Sequence, residues 1–190
     1  MTGNTRGCVT PIVSWDRRII GILALGLMAS CGDKPAPPPS EPLKALTADT
    51  LSLPGGATLH YAVQDGQSTA ALTPSGTQLK LEADHTIAPN AGVRAKPIGQ
   101  LGTQVILATD EYPSRPGGMS YCQAGHEQFL RVFSLTPQLH QTFQTKTASC
   151  IDNKELADPG IVWKPETATL EIHWLTETKT YKIDPNGTVH

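Results

Sequence analysis

TATLEIHWLTETKTYKIDPNGTVH, residues 167 to 190, sets Leu170, Ile172 and Trp174 on one parity and Glu171 and His173 on the other. A period of two marks a half-buried β-strand, because successive side chains of an extended chain point to opposite faces. Thr180 to Ile183 continues the pattern; Asp184, Pro185, Asn186 and Gly187 supply turn chemistry before Thr188 and Val189. The chain therefore ends strand, turn, strand. Asp184, Asn186 and Gly187 share part of a calcium-loop pattern but lack its remaining ligands and closing glutamate, so the turn accounts for them.

Reading outward, Ile161, Val162 and Trp163 precede Lys164, Pro165, Glu166 and Thr167, which spells a hairpin into the Leu170 strand. Asn153 to Asp158 has room for one helical turn before Pro159 and Gly160 end it. Leu79, Leu81 and Ala83 alternate with Lys80 and Glu82, whereas Gln104 to Thr109 is continuously apolar around Val105, Ile106 and Leu107. Such a run suits a strand buried on both faces. Helical periodicity is nearly absent after residue 30. The expectation is an all-β fold, an antiparallel β-sandwich or β-barrel, with one intradomain disulfide. Aromatic residues after position 110, among them Tyr112, Phe129, Phe133, Trp163 and Trp174, anchor the core.

At the other end, Arg17 and Arg18 precede an apolar stretch from Ile19 to Ser30. A membrane-spanning helix needs roughly 20 apolar residues, so this shorter stretch reads as a cleaved export signal. Ile19, Ile20 and Gly21 lack the continuation of a twin-arginine signal, which leaves the general secretory route. The residues Leu27, Met28, Ala29, Ser30 and Cys31 resemble the lipobox of bacterial lipoproteins, with Met28 where that family most often has leucine. The resemblance implies cleavage before Cys31, a covalent lipid on its thiol and attachment to the membrane through that lipid. Gly32, where aspartate would oppose it, implies an outer-membrane lipoprotein facing the periplasm under the rule of enteric bacteria; Asp33 could alter this in other bacteria, with the inner membrane as the alternative.

The expected organisation is a signal with an N-terminal extension over 1–30, a lipidated cysteine and proline-rich linker over 31–44, and one globular domain over 45–190. The linker reads KPAPPPSEPLK from Lys34 to Lys44, and its five prolines favour an extended, semi-rigid spacer. The whole chain carries 15 basic and 17 acidic side chains. Removing the leader takes away Arg6, Arg17, Arg18 and Asp16, leaving 12 and 16 and a net charge of −4. Basic residues are scattered singly, which excludes nucleic acid as a partner. A domain of this length buries roughly 70% of the surface its unfolded chain exposes, enough for a core.

With Cys31 lipidated and Cys8 in the leader, Cys122 and Cys150 remain as a pair in an oxidising compartment and are expected to form a disulfide. A hairpin turning at Thr136 and Pro137 would pair Ser134 with Gln138 and place Cys122 opposite Cys150, about 4.5 Å apart at Cα. That register sets Phe129, Phe133, Leu139 and Phe143 on one face and needs an unusually long arm, so a break is expected near Gly125.

No catalytic constellation emerges, and the chain does not read as an enzyme. Gly118, Met119, Ser120, Tyr121 and Cys122 approach a nucleophile elbow but end in cysteine, and no helix is indicated after them. His126 and Glu127 begin a zinc motif that fails at Leu130; a zinc site would need the fold to gather His126, His140 and His173. No metal and no cofactor other than the lipid is expected. The segment from Asp110 to Gly125 is the candidate contact surface, with Glu111, Tyr112, Arg115, Met119, Ser120 and Tyr121 as candidate partner-binding residues. Tyrosine, arginine and glycine are favoured at interfaces. Pro116 to Tyr121 resembles the glycine-serine-tyrosine loop of periplasmic lysozyme inhibitors, which implies insertion of the loop into an enzyme cleft. The functional expectation is a lipid-anchored periplasmic binding protein whose partner is another envelope or secreted protein. Its specific form is an inhibitor or immunity protein against a cell-wall hydrolase; the alternative is a structural or assembly lipoprotein of the envelope.

Overall fold

The structure, a computed structural model, describes residues 44–47, 49–64, 67–81, 85–89, 91–115, 122 and 124–190, with 44–47 and 64 in the backbone alone. The signal, Cys31 and most of the linker lie outside the described residues. Among the described residues the regular structure is strand, interrupted by single 3-10 turns. Strands β1 (Lys44–Thr47), β2 (Thr50–Ser52), β3 (Thr58–Gln64), β4 (Gln67–Thr73) and β5 (Thr77–Lys80) form one antiparallel sheet in chain order. Strands β6 (Arg94–Leu101), β7 (Val105–Pro113), β8 (His126–Ser134) and β9 (His140–Ser149) form a second, and β10 (Leu156–Lys164), β11 (Thr169–Trp174) and β12 (Thr178–Lys182) a third.

The second sheet is the middle layer of a sandwich. One face of β7 and β8, through Ile106, Ala108, Tyr112, Phe129 and Phe133, packs with Leu51, Leu59, Tyr61 and Ala70 of the first sheet. The opposite parity, Val105, Leu107, Leu130 and Val132, packs with Leu170, Ile172 and Trp174 of the third. Burial on both faces is what the unbroken apolar run at Val105 to Leu107 demanded. Each fully buried side chain of this size contributes roughly 1.5–3 kcal/mol. Among the described residues these are two separate buried clusters, one on each face of the middle sheet.

The hairpin expected around Pro165 is present: Trp163 pairs with Leu170, and Pro165–Thr167 makes a 3-10 turn between the strands. The terminal turn is present too, with Ile183 bridged to Val189. Asn153 to Asp158 does not form a helical turn. Lys154 instead bridges Ser149, and β10 begins at Leu156. Its register slips between Leu156 and Ile161, where Pro159 has no N–H to give to the ladder. Gly99 on β6 sits where a Cβ would fall 2.2 Å from Trp163 Cδ1, so only glycine lets β6 pass under that ring.

The β8–β9 hairpin corrects the expected register. Ser134 pairs with His140, not Gln138, and the register shifts between Val132 and Phe133 and again between Gln128 and Phe129. Each added residue on β9 reverses its alternation. Phe143 therefore leaves the face of Phe129, Phe133 and Leu139 and joins the other core, tilted against Tyr181 with centroids 5.0 Å apart.

Candidate functional site

The candidate loop begins where β7 runs out, and its two ends are fastened to the same place. Ser114 N–H donates to Gly125 O at 2.9 Å, Arg115 N–H to Thr86 O at 2.6 Å, and Ala88 N–H to Pro113 O at 3.0 Å. Cys122 is bonded to Cys150 with Cα atoms 5.7 Å apart, although it lies before β8 and is not its ladder partner. Gly125 comes next, held by its N–H to Cys122 O at 3.0 Å. A Cβ at Gly125 would fall 2.5 Å from Cys150 Cβ, so this glycine lets the chain pass the disulfide. The chain between Arg115 and Cys122 thus departs from and returns to one anchored base.

Beneath that base lies a buried carboxylate. Glu127, at the start of β8, accepts from Ser114 Oγ at 2.7 Å and Ser149 Oγ at 2.5 Å, and from Ile151 N–H at 3.4 Å. Lys146 Nζ stands 3.5 Å from its Oε2, 2.6 Å from Asp152 Oδ2 and 3.2 Å from Thr86 Oγ1. Burying a carboxylate is costly unless donors replace water. Here the donors come from the end of β7, from β9 and from the turn after it, so one group ties three segments together.

Glu111 is half-buried and 3.8 Å from Arg94 Nη1, and Arg115 is exposed. Met119, Ser120 and Tyr121 lie outside the described residues. Tyr112 is turned inward and is unavailable to a partner: it is fully buried, with its hydroxyl donating to Asp110 Oδ2 and its ring edge-on to Phe129 at 6.0 Å. The physical reason is that β7 extends to Pro113, so Tyr112 keeps the inward parity of Ile106 and Ala108. His126 opens β8 while His140 pairs with its last residue, Ser134, so the two stand at opposite ends of the strand. His173 is on β11, within 3.2 Å of Thr178 Oγ1. Among the described residues no group of three or more His, Cys, Asp and Glu side chains is placed to hold a metal ion. After Cys122 the chain enters strand β8, where a nucleophile elbow would require a helix.

A second polar cluster sits inside the first core. Arg131 and Asp110 are fully buried, and Arg131 Nε lies 2.8 and 2.9 Å from the two Asp110 oxygens. Arg131 Nη1 reaches Gln141 Oε1 at 2.8 Å and also Gln144, and its guanidinium stands 5.2 Å from the Phe129 centroid. Burial pushes the Asp110 carboxyl up, against the pull of Arg131; burial, then the Asp110 charge, pushes the Tyr61 and Tyr112 phenols up. Among the described residues Arg131 Nη2 and Tyr61 OH make no hydrogen bond. The sequence reading missed this cluster, yet Phe129, Arg131 and Phe133 share a parity, which was the available signal.

Fold and site together define an all-β domain of stacked antiparallel sheets in which the residues on either side of 116–121, Arg115 and Cys122, are fastened by backbone hydrogen bonds and a disulfide. The chain matches no protein-family model, no curated protein and no solved structure.

Proposed function

We propose that the chain is a lipid-anchored protein of the bacterial envelope, held through Cys31 in the outer membrane and facing the periplasm. It acts by binding another protein through the segment beyond Arg115. In its specific form it is an inhibitor or immunity protein that protects the envelope from a cell-wall hydrolase. The observation that carries this reading is the double fastening of the loop: the Cys122–Cys150 bond at one end, and the Ser114 and Arg115 hydrogen bonds at the other. A loop whose ends are already fixed loses less freedom on binding, so more of its contact energy appears as affinity. Arg115 stands exposed at its entrance, and Glu127 stiffens the base from below.

Titration of lysozymes, and of the wall hydrolases of the producing cell, with the processed chain tests the reading. Stoichiometric loss of one hydrolase's activity is expected. Arg115→Ala should weaken that inhibition at least tenfold with the thermal melt unchanged. No binding to any hydrolase, with in-cell crosslinking to envelope complexes instead, would transfer the chain to the structural or assembly lipoproteins.

A further inference from the structure

Lys154 is fixed in place before β10 by two backbone hydrogen bonds with Ser149, each 2.9 Å. Its Nζ stands 4.2 Å from the Trp174 centroid, and Lys179 Nζ stands 5.8 Å from the same ring. The ring is itself immobilised, its Nε1–H donating to Thr147 O at 2.8 Å. Two open hollows, of about 210 and 280 Å³, meet at Asn153, Lys154 and Glu155. One runs on along Trp174 to Leu175, an apolar side chain left 67% exposed.

Two charged groups at the hollow, Lys154 and the exposed Glu155, have no ion-pair partner among the described residues. Lys179 is paired with Glu177 at 3.3 Å, and Lys146 with Asp152 at 2.6 Å. Lys154 has no carboxylate within salt-bridge distance among the described residues, and the Glu155 side chain is turned to solvent. Burial and then the neighbouring Lys179 hold the Lys154 amine below its ordinary range. An arriving anion relieves both effects, because an opposite charge favours the protonated amine.

We infer that the hollow at Lys154 is a recognition site for a single carboxylate of a peptide partner, with Leu175 receiving the apolar side chain beside that carboxylate. The Lys154 ammonium, held over the Trp174 ring with no carboxylate in reach among the described residues, takes one negative charge at that position, which fits a carboxylate better than a phosphate dianion. The ring of Trp174 fixes the ammonium, so the site is pre-organised. The hollow would bind its peptide whether or not the segment beyond Arg115 meets a hydrolase.

Two end-blocked hexapeptides, one with a central Leu-Glu pair and one with Leu-Gln, are titrated into the full chain in detergent. Binding is read from the Trp174 indole N–H and the Leu175 amide in nitrogen-correlated NMR spectra. Saturable shifts are expected with the Leu-Glu peptide, and at least fivefold weaker binding with Leu-Gln. Lys154→Gln should lower the Leu-Glu peptide to the Leu-Gln level, and Lys154→Arg should retain it; neither variant removes a side-chain hydrogen bond among the described residues. Equal binding of the two peptides, no saturable shift, or full binding by Lys154→Gln would overturn the inference. So would inorganic phosphate saturating the same signals at lower concentration, which would assign the hollow to a multiply charged anion.

Discussion

Arg131 and Asp110 place two opposite charges in an otherwise apolar layer, where each is tolerable because of the other. Removing one partner of a buried pair leaves an uncompensated charge, at a cost of about 3–5 kcal/mol. Arg131→Met is therefore expected to lower the urea-denaturation free energy by about that amount. Arg131→Met with Asp110→Leu should recover most of the loss, since a buried ion pair replaced by apolar residues is often neutral. An Arg131→Met variant as stable as the parent would show that the pair is not buried as described. Arg131 shares the parity of Phe129 and Phe133 along β8, a signal present in the sequence that was not read there as a core position. Glu127 was not legible in the same way, because Ser114, Lys146 and Ser149 reach it from distant parts of the chain and only the folded backbone brings them together.

Among the elements, the β10–β11 hairpin shows how a local rule is broken at modest cost. Ala168, which closes the turn after Thr167, has φ of 48°, a left-handed conformation that L residues other than glycine rarely adopt. Ala168→Gly is expected to stabilise the domain by roughly 0.5–1 kcal/mol, measured by thermal or urea unfolding. A loss of stability would mean that the turn is not left-handed there. The hairpin itself was readable from Pro165 and from the alternation at Leu170. The register of β8 with β9 was not, because its two bulges have no side-chain signature at Thr142 or Thr147; they show only as a reversal of which residues reach the core. Tyr112 was hidden for a different reason: no residue between Asp110 and Pro113 signals that β7 continues to Pro113.

At the scale of the whole molecule, one sheet serves two cores, and the loop after Arg115 leaves from the strands of that sheet. The apolar run at Val105 to Leu107 announced a strand covered on both sides. The grouping of strands into three sheets was hidden, since one meander and the next look alike in sequence. The Cys122–Cys150 bond closes the segment that contains β8 and β9 onto the loop base and is expected to stabilise the domain by roughly 3–4 kcal/mol. Its larger role in this account is to hold the loop for a partner. The most direct test is the affinity of the oxidised chain and of its Cys122→Ser, Cys150→Ser double variant for the hydrolase it is proposed to inhibit, at a temperature where both keep the same amide spectrum for β7, β8 and β11. The expected result is tight stoichiometric binding by the oxidised chain and at least tenfold weaker binding by the variant. Equal affinity of the two, or no hydrolase bound by the oxidised chain, would contradict the account.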